Sequence, residues 1–233
     1  PQQASSLFYQ KIESLNIESY SHDLWDRLII TTKFMKGRKM VSVLTAPTHP
    51  SLAPSADELV GALDMLGLHV LSGGIKPHRV IPPAELVAGL VMQSDARIRL
   101  ALVGLLLYRP DFALAVPLAT SSLCVPNSAP CGSQAYRGHD LLTLKLYYTA
   151  AMLLQKKYDA QLTQLLGERE QLPDLFSEEL AVSATGSVDT RLKELGEQHK
   201  ALVATGVNWV GTYHHGAKRL IKRLKCEVKW GLR

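Results

Sequence analysis

Apolar residues recur at helical spacing along most of the chain, and this pattern predicts a mainly helical protein. The clearest helix is expected between Ser94, its predicted N-cap, and Pro110, which marks its end because proline cannot continue a helix. Its most apolar run, Leu100–Tyr108, is nine residues long. A membrane-spanning helix needs about 20 apolar residues, so a helix buried inside a folded protein is expected here.

Capping and proline signals predict two helices before this one. Ser55 is a suitable N-cap, and Asp57 and Glu58 would place acidic side chains in the first turn of a helix that runs to about Leu66. Pro82–Pro83 suits the first turn of a second helix, because the first residues of a helix need no backbone N–H donor.

The two ends of the chain contain further helical patterns. The segment Ser5–Gly37 predicts a helix to about Leu15 and a second helix from His22. A long helix is expected after residue 140, with one apolar face. The members of that face are Leu141, Leu144, Tyr148, Ala151 and Leu154.

Residues 68–81 break the helical pattern and predict a small β-hairpin. His69–Leu71 and Arg79–Ile81 would be short strands joined by a turn at Gly73–Gly74, and Lys76 and Arg79 would lie near its tip. In outline this hairpin resembles the wing of a winged helix-turn-helix module. The helix before it is acidic, however, which is unfavourable for a recognition helix that faces phosphates.

The segment Thr120–Asp140 is rich in Ser, Pro, Gly and Asn and predicts a linker or a long loop. It would divide the chain into an N-terminal helical domain with the hairpin, residues 1–119, and a C-terminal helical region, residues 141–233. The expected fold class is therefore mainly α, a multi-helix, bundle-like core with one small β-hairpin.

A stripe at alternating spacings of four and three residues predicts that one face of a C-terminal helix packs against the core. Glycines at 206, 211 and 216 interrupt this segment, and each costs about 1 kcal/mol relative to alanine inside a helix. These glycines would either let a neighbouring helix approach closely or break the helix near Gly206 with a restart at Asn208, and a break or kink is favoured. The stripe consists of Val203, Val207, Val210, His214, Ala217, Ile221, Leu224 and Val228.

The charge of the chain is concentrated at this same end. The formal net charge is +5, but residues 216–233 contain seven basic residues and a single acid, Glu227. The other 215 residues contain 19 basic and 20 acidic residues and are close to neutral. The C-terminal helix is therefore expected to be amphipathic, with an apolar face against the core and a basic edge in solvent.

A basic helix of this kind predicts a non-enzymatic, nucleic-acid-associated binding or regulatory protein that contacts the phosphates of DNA or RNA. The alternative is a helical adaptor or regulatory subunit that docks an acidic partner in a larger complex. A membrane partner is not expected, because the core needs the apolar face. The expected contact residues are Lys218, Arg219, Lys222, Arg223, Lys225 and Lys229, together with Lys76 and Arg79 of the hairpin.

No motif in the sequence predicts a metal site, a cofactor or a reaction. Neighbouring helical positions such as His214 and His215 point about 100° apart and cannot chelate one ion, so His214 is expected in the apolar seam and His215 in solvent. An enzyme would have to assemble its site from scattered residues such as His139, Asp140, His214 and His215.

The number of cysteines and the start of the sequence favour a cytoplasmic protein. The three cysteines are too few for a disulfide scaffold, and an odd number is typical of a reducing compartment. The sequence does not begin with a charged segment followed by an apolar one, so no secretory signal is expected.

Overall fold

The computed structural model describes residues 54–69, 75, 77, 79–124, 134–203 and 206–231. Within these ranges the chain is mainly helical, which confirms the expected fold class at this level. The helices are α1 (Ala56–Met65), α2 (Pro83–Val91), α3 (Ala96–Tyr108), a 3₁₀ helix (Pro110–Ala115), α4 (Val116–Cys124), α5 (Gln134–Leu166), α6 (Val188–Val203) and α7 (Trp209–Lys229). The helices expected between residues 5 and 37 lie outside the described residues.

The first helices begin close to the predicted residues, because local capping contacts fix where each helix starts. Ser55 and Glu58 form a capping box at α1: the Glu58 N–H donates to Ser55 Oγ at 3.3 Å, and the Ser55 N–H donates to Glu58 Oε2 at 2.9 Å. Pro83 occupies the first turn of α2, as expected. The N-cap of α3 is Asp95, one residue after the expected Ser94, and its carboxylate accepts the Arg97 N–H at 2.8 Å.

Helices α3 and α5 form the centre of the core. Leu102, Leu105 and Leu106 of α3 are fully buried, as the apolar run predicts. On α5, the predicted face is confirmed at Leu144, Tyr148, Ala151 and Leu154, which are fully buried, whereas Leu141 is half-buried. Helices α2, α5 and α7 all pack against α3, so α3 is buried on several sides.

No single helix in the described ranges has both the length and the apolar composition to cross a membrane. Helix α3 and the segment Pro110–Cys124 reach that length and composition only when they are counted together, and they are bent by 117° relative to each other.

The expected β-hairpin is not supported, because the described residues contain no strand. Arg79–Ile81, expected to be its second strand, is irregular, and the Arg79 guanidinium pairs with Glu85 of α2. Prolines at 77, 82 and 83 supply no N–H donors, which disfavours a strand ladder in this segment. The turn at Gly73–Gly74 and the side chain of Lys76 lie outside the described residues. Because the resemblance to the wing of a DNA-binding module depended on this hairpin, it is not supported either.

The segment expected to be a linker is helical at both of its described ends. Residues 120–124 belong to α4 and residues 134–140 to α5, while residues 125–133 lie outside the described ranges. Buried side chains from both sides of this segment belong to one hydrophobic cluster. The division of the chain at residues 120–140 stays a prediction.

The break between α6 and α7 is confirmed. Helix α6 ends at Val203, and α7 begins at Trp209 after the N-cap Asn208, whose Oδ1 accepts the Gly211 N–H at 2.9 Å. The two helices then approach closely, because Gly196 of α6 lies against Val210 of α7. A Cβ atom at position 196 would stand 2.6 Å from Val210 Cγ2.

This close approach predicts that the effect of Gly196→Ala on stability differs in sign between two backgrounds. Gly196→Ala should destabilise the protein by about 1–3 kcal/mol, because its methyl group overlaps Val210. In a Val210→Ala background the overlapping methyl group is gone, and Gly196→Ala should be neutral or stabilising by up to about 1 kcal/mol through helix propensity. Urea unfolding of the four proteins measures the effect. An equal loss of stability in both backgrounds would contradict the close approach.

Candidate nucleic-acid interface

The core covers one face of α7, and the centre of this buried face differs from the predicted stripe. Ala217, Ile221 and Leu224 are buried as expected and His214 is half-buried, but Val228 is 50% exposed. The break before α7 changes the phase of the pattern, so residues on its two sides do not continue one stripe. The buried residues of α7 are Trp209, Tyr213, Ala217, Leu220, Ile221, Leu224 and Glu227.

Four lysines lie on the opposite face and are here called the lysine arc: Lys218, Lys222, Lys225 and Lys229. At about 100° per residue they fall within a sector of roughly 60°. At about 1.5 Å per residue they extend over roughly 16 Å of the helix axis. All four are exposed, and none forms an ion pair with a carboxylate of the described residues. The lysine arc is therefore a row of solvated positive charges.

The other predicted contact residues are placed differently. Arg223 is exposed, but its Nε donates to Glu227 Oε1 at 2.9 Å and its Nη1 donates to the His69 carbonyl oxygen at 3.2 Å. It therefore helps to hold α7 against the chain that follows α1. Arg219 is exposed on α7. Arg79 donates from Nη1 to Glu85 Oε2 at 2.8 Å, so it is bound to α2 and is not part of the lysine arc.

Elsewhere on the surface many cations are matched by a nearby carboxylate. Such pairs contribute little to stability at exposed sites, but they cancel the local charge. The lysine arc contrasts with them, since the only acid of α7 is Glu227, which is buried and bonded to Arg223. The matched pairs include Arg97–Asp95, Arg109–Asp111, Lys145–Glu179 and Lys157–Asp189.

His214 lies beside the lysine arc and is satisfied within the fold, as expected. Its Nδ1 lies 3.1 Å from the hydroxyl of Tyr158, which stands at a kink in α5, and the two rings meet edge to face. Burial and the charges of Lys157 and Lys218 lower the pKa of His214. His215 is exposed, as predicted. Among the described residues, no three His, Cys, Asp or Glu side chains are grouped to hold a metal ion.

A buried aromatic cluster, which the sequence analysis missed, fixes the start of α7. The His199 ring of α6 stacks on Trp209, with centroids 3.5 Å apart and planes 11° apart. His199 Nδ1 lies 2.6 Å from the Tyr213 hydroxyl, and Tyr147 of α5 packs edge-on against the imidazole. The i, i+4 spacing of Trp209 and Tyr213 was an available signal for a buried face.

The same cluster is closed to ligands and favours a neutral imidazole. His199 is 2% exposed, and burial, followed by the nearby charges of Arg99 and His139, lowers its pKa to about 3. Burial likewise raises the pKa of the Tyr213 hydroxyl. Both groups are uncharged and hydrogen-bonded to each other, so this contact joins α6 to α7. Because both side chains are buried, no reacting molecule can reach them.

The scattered residues considered for an enzyme site, His139, Asp140, His214 and His215, do not lie together. His139 Nδ1 and Asp140 Oδ1 lie 4.0 Å apart near the start of α5, and burial raises the pKa of Asp140. His214 is bonded to Tyr158, which follows His139 by 19 residues on α5, or about 28 Å of straight helix. These two histidines therefore cannot share one small site.

Searches against models of protein families, against curated proteins and against solved structures find no match to this chain. Any functional inference therefore depends on the residues described above.

The buried neutral His199 predicts a pH dependence of stability. Its pKa is about 6.5 when unfolded and about 3 when folded, so the unfolded chain binds more protons between these values. The free energy of unfolding should therefore decrease as the pH falls below about 6.5, by up to about 1.4 kcal/mol per pH unit. His199→Gln should reduce this slope, as measured by urea unfolding between pH 7 and pH 4.5.

The matched control is His215→Gln, which removes an exposed imidazole from α7. If both variants change the slope equally, the assignment of this pH dependence to His199 is wrong.

Proposed function

We propose that this protein binds nucleic acid through the lysine arc of α7, as a non-enzymatic binding or regulatory protein. The observation that supports the proposal is the set of four exposed lysines without carboxylate partners in the described residues, on a helix whose opposite face is anchored in the core. Polyanions bind such rows because each phosphate contact releases condensed counterions.

The chemistry of the lysine arc favours contacts with phosphates over contacts with bases. Lysine presents a flexible point charge, whereas base recognition commonly uses the planar, bidentate geometry of arginine, asparagine or glutamine. The lysine arc spans roughly 16 Å, so its four ammonium groups can contact successive phosphates of a backbone that runs along the helix. Binding with little sequence preference is the expected behaviour.

The proposal includes a cytoplasmic location. It is supported by the thiols of Cys124 and Cys226, both of which are free in the described structure. Free thiols are typical of reducing compartments.

A second candidate is a helical adaptor or regulatory subunit whose lysine arc docks an acidic protein. The observation that favours it is the exposure of large apolar side chains away from α7, including Met92 after α2 and Leu118 on α4, which a protein partner would cover and a polyanion would not.

The proposed function predicts a strong dependence of binding on salt. With four phosphate contacts, the logarithm of the association constant should fall with the logarithm of salt concentration at a slope of about −3.6 for a duplex and about −2.8 for a single strand. Affinity should then fall on the order of 100-fold between 50 and 200 mM salt. Lys222→Glu with Lys225→Glu should reduce the slope by about 2 and weaken binding at every salt concentration. Fluorescence anisotropy with labelled oligonucleotides measures both quantities.

The matched control carries the same change of charge on other helices, as Lys156→Glu with Lys193→Glu. Both residues are exposed. This control should retain most of the wild-type slope. Equal losses in the two double variants would show that net charge alone, and not the lysine arc, determines binding. Absence of binding to nucleic acid, together with capture of an acidic protein that Lys222→Glu with Lys225→Glu releases, would favour the second candidate.

A further inference from the structure

The indole of Trp230 projects into solvent directly after the lysine arc. Its side chain is 68% exposed, whereas Trp209, the other tryptophan in the described residues, is buried. The backbone beneath it is fixed: the Trp230 N–H donates to the Cys226 carbonyl oxygen at 3.0 Å, and Gly231 follows with a φ of 65°, which ends the helix. The large aromatic ring therefore extends from an ordered helix end and contributes little to the core.

An exposed indole beside phosphate-binding lysines has a specific use in recognition. An indole offers two flat apolar faces, and an unpaired base offers a matching flat face. In a duplex, each base already stacks on its neighbours, so its faces are not accessible unless the helix is distorted. An aromatic ring next to a row of positive charges is the combination found in surfaces that bind single strands.

We propose that the nucleic acid bound by α7 is single-stranded, with Trp230 stacked on one unpaired base. The inference rests on the proposed function of the lysine arc and adds the class of nucleic acid to it. Lys229 precedes Trp230 by one residue, or about 1.5 Å along the helix axis, and the two side chains point about 100° apart around it. A strand held by the lysine arc therefore turns around the C-terminal end of α7 to place its next base on the indole.

The test uses the full chain and three probes, of which the two single strands have closely similar backbone charge and the duplex has about twice that charge. The first probe is a thymidylate oligomer of about 12 nucleotides, within the site sizes of single-strand binding proteins. The second is an abasic phosphodeoxyribose oligomer of the same length, and the third is a duplex of the same length. The wild-type protein should bind the thymidylate about 5- to 100-fold more tightly than the abasic oligomer, which corresponds to stacking of one base.

Two variants separate stacking from hydrophobicity. Trp230→Leu should abolish the preference for the thymidylate and leave both the affinity for the abasic oligomer and the salt slope unchanged. Trp230→Phe should retain part of the preference, because a smaller aromatic ring still stacks. Circular dichroism and the melting temperature of each variant establish that the fold is intact, which the exposure of residue 230 leads us to expect.

The outcomes distinguish this inference from the proposed function. Equal affinity of the wild-type protein for the thymidylate and the abasic oligomer, or an unchanged preference in Trp230→Leu, overturns the stacking of Trp230. The proposed function still stands in that case if Lys222→Glu with Lys225→Glu weakens binding of both oligomers. Binding of the duplex as tightly as the thymidylate also overturns the inference. Failure of the wild-type protein to bind any of the three probes overturns both.

Discussion

His199 of α6 is buried against the ring of Trp209 and bonded to the hydroxyl of Tyr213, and these contacts join α6 to α7 across the break between them. They set the rotation of α7 about its own axis. With Trp209 and Tyr213 turned inward, residues 218, 222, 225 and 229 must face solvent, because they lie on the other side of the helix. The position of the lysine arc is therefore a consequence of an uncharged aromatic cluster.

The elements of the fold could be read from local signals, because capping and breaking depend on neighbouring residues. The start of α1 at Ser55, the proline start of α2 and the break before Asn208 are examples. The predicted hairpin is not supported: its glycines suggested a turn, while the prolines nearby and the pairing of Arg79 with Glu85 favour irregular chain. The pairing of individual side chains decides such a segment, and periodicity contains no information about it.

The candidate site was predictable in its charge and less so in its geometry. The concentration of bases at the C-terminal end is visible in the composition, and the shared edge of the four lysines follows from their spacing. The phase of the buried face was not predictable from a stripe drawn across Gly206, since a break resets the rotation of the next helix. The role of Arg223 was also missed, because its contact with the His69 carbonyl oxygen joins segments 154 residues apart.

The lysine arc lies on a helix that is already formed, with Asn208 at one end and the left-handed Gly231 at the other. A cationic tail without structure would lose backbone freedom when it meets a polyanion, and that loss would weaken the complex. The backbone of α7 has already lost this freedom on folding, so binding would restrict only the lysine side chains. The strength of any such complex would then follow the ionic composition of its surroundings, and association would proceed without a coil-to-helix transition.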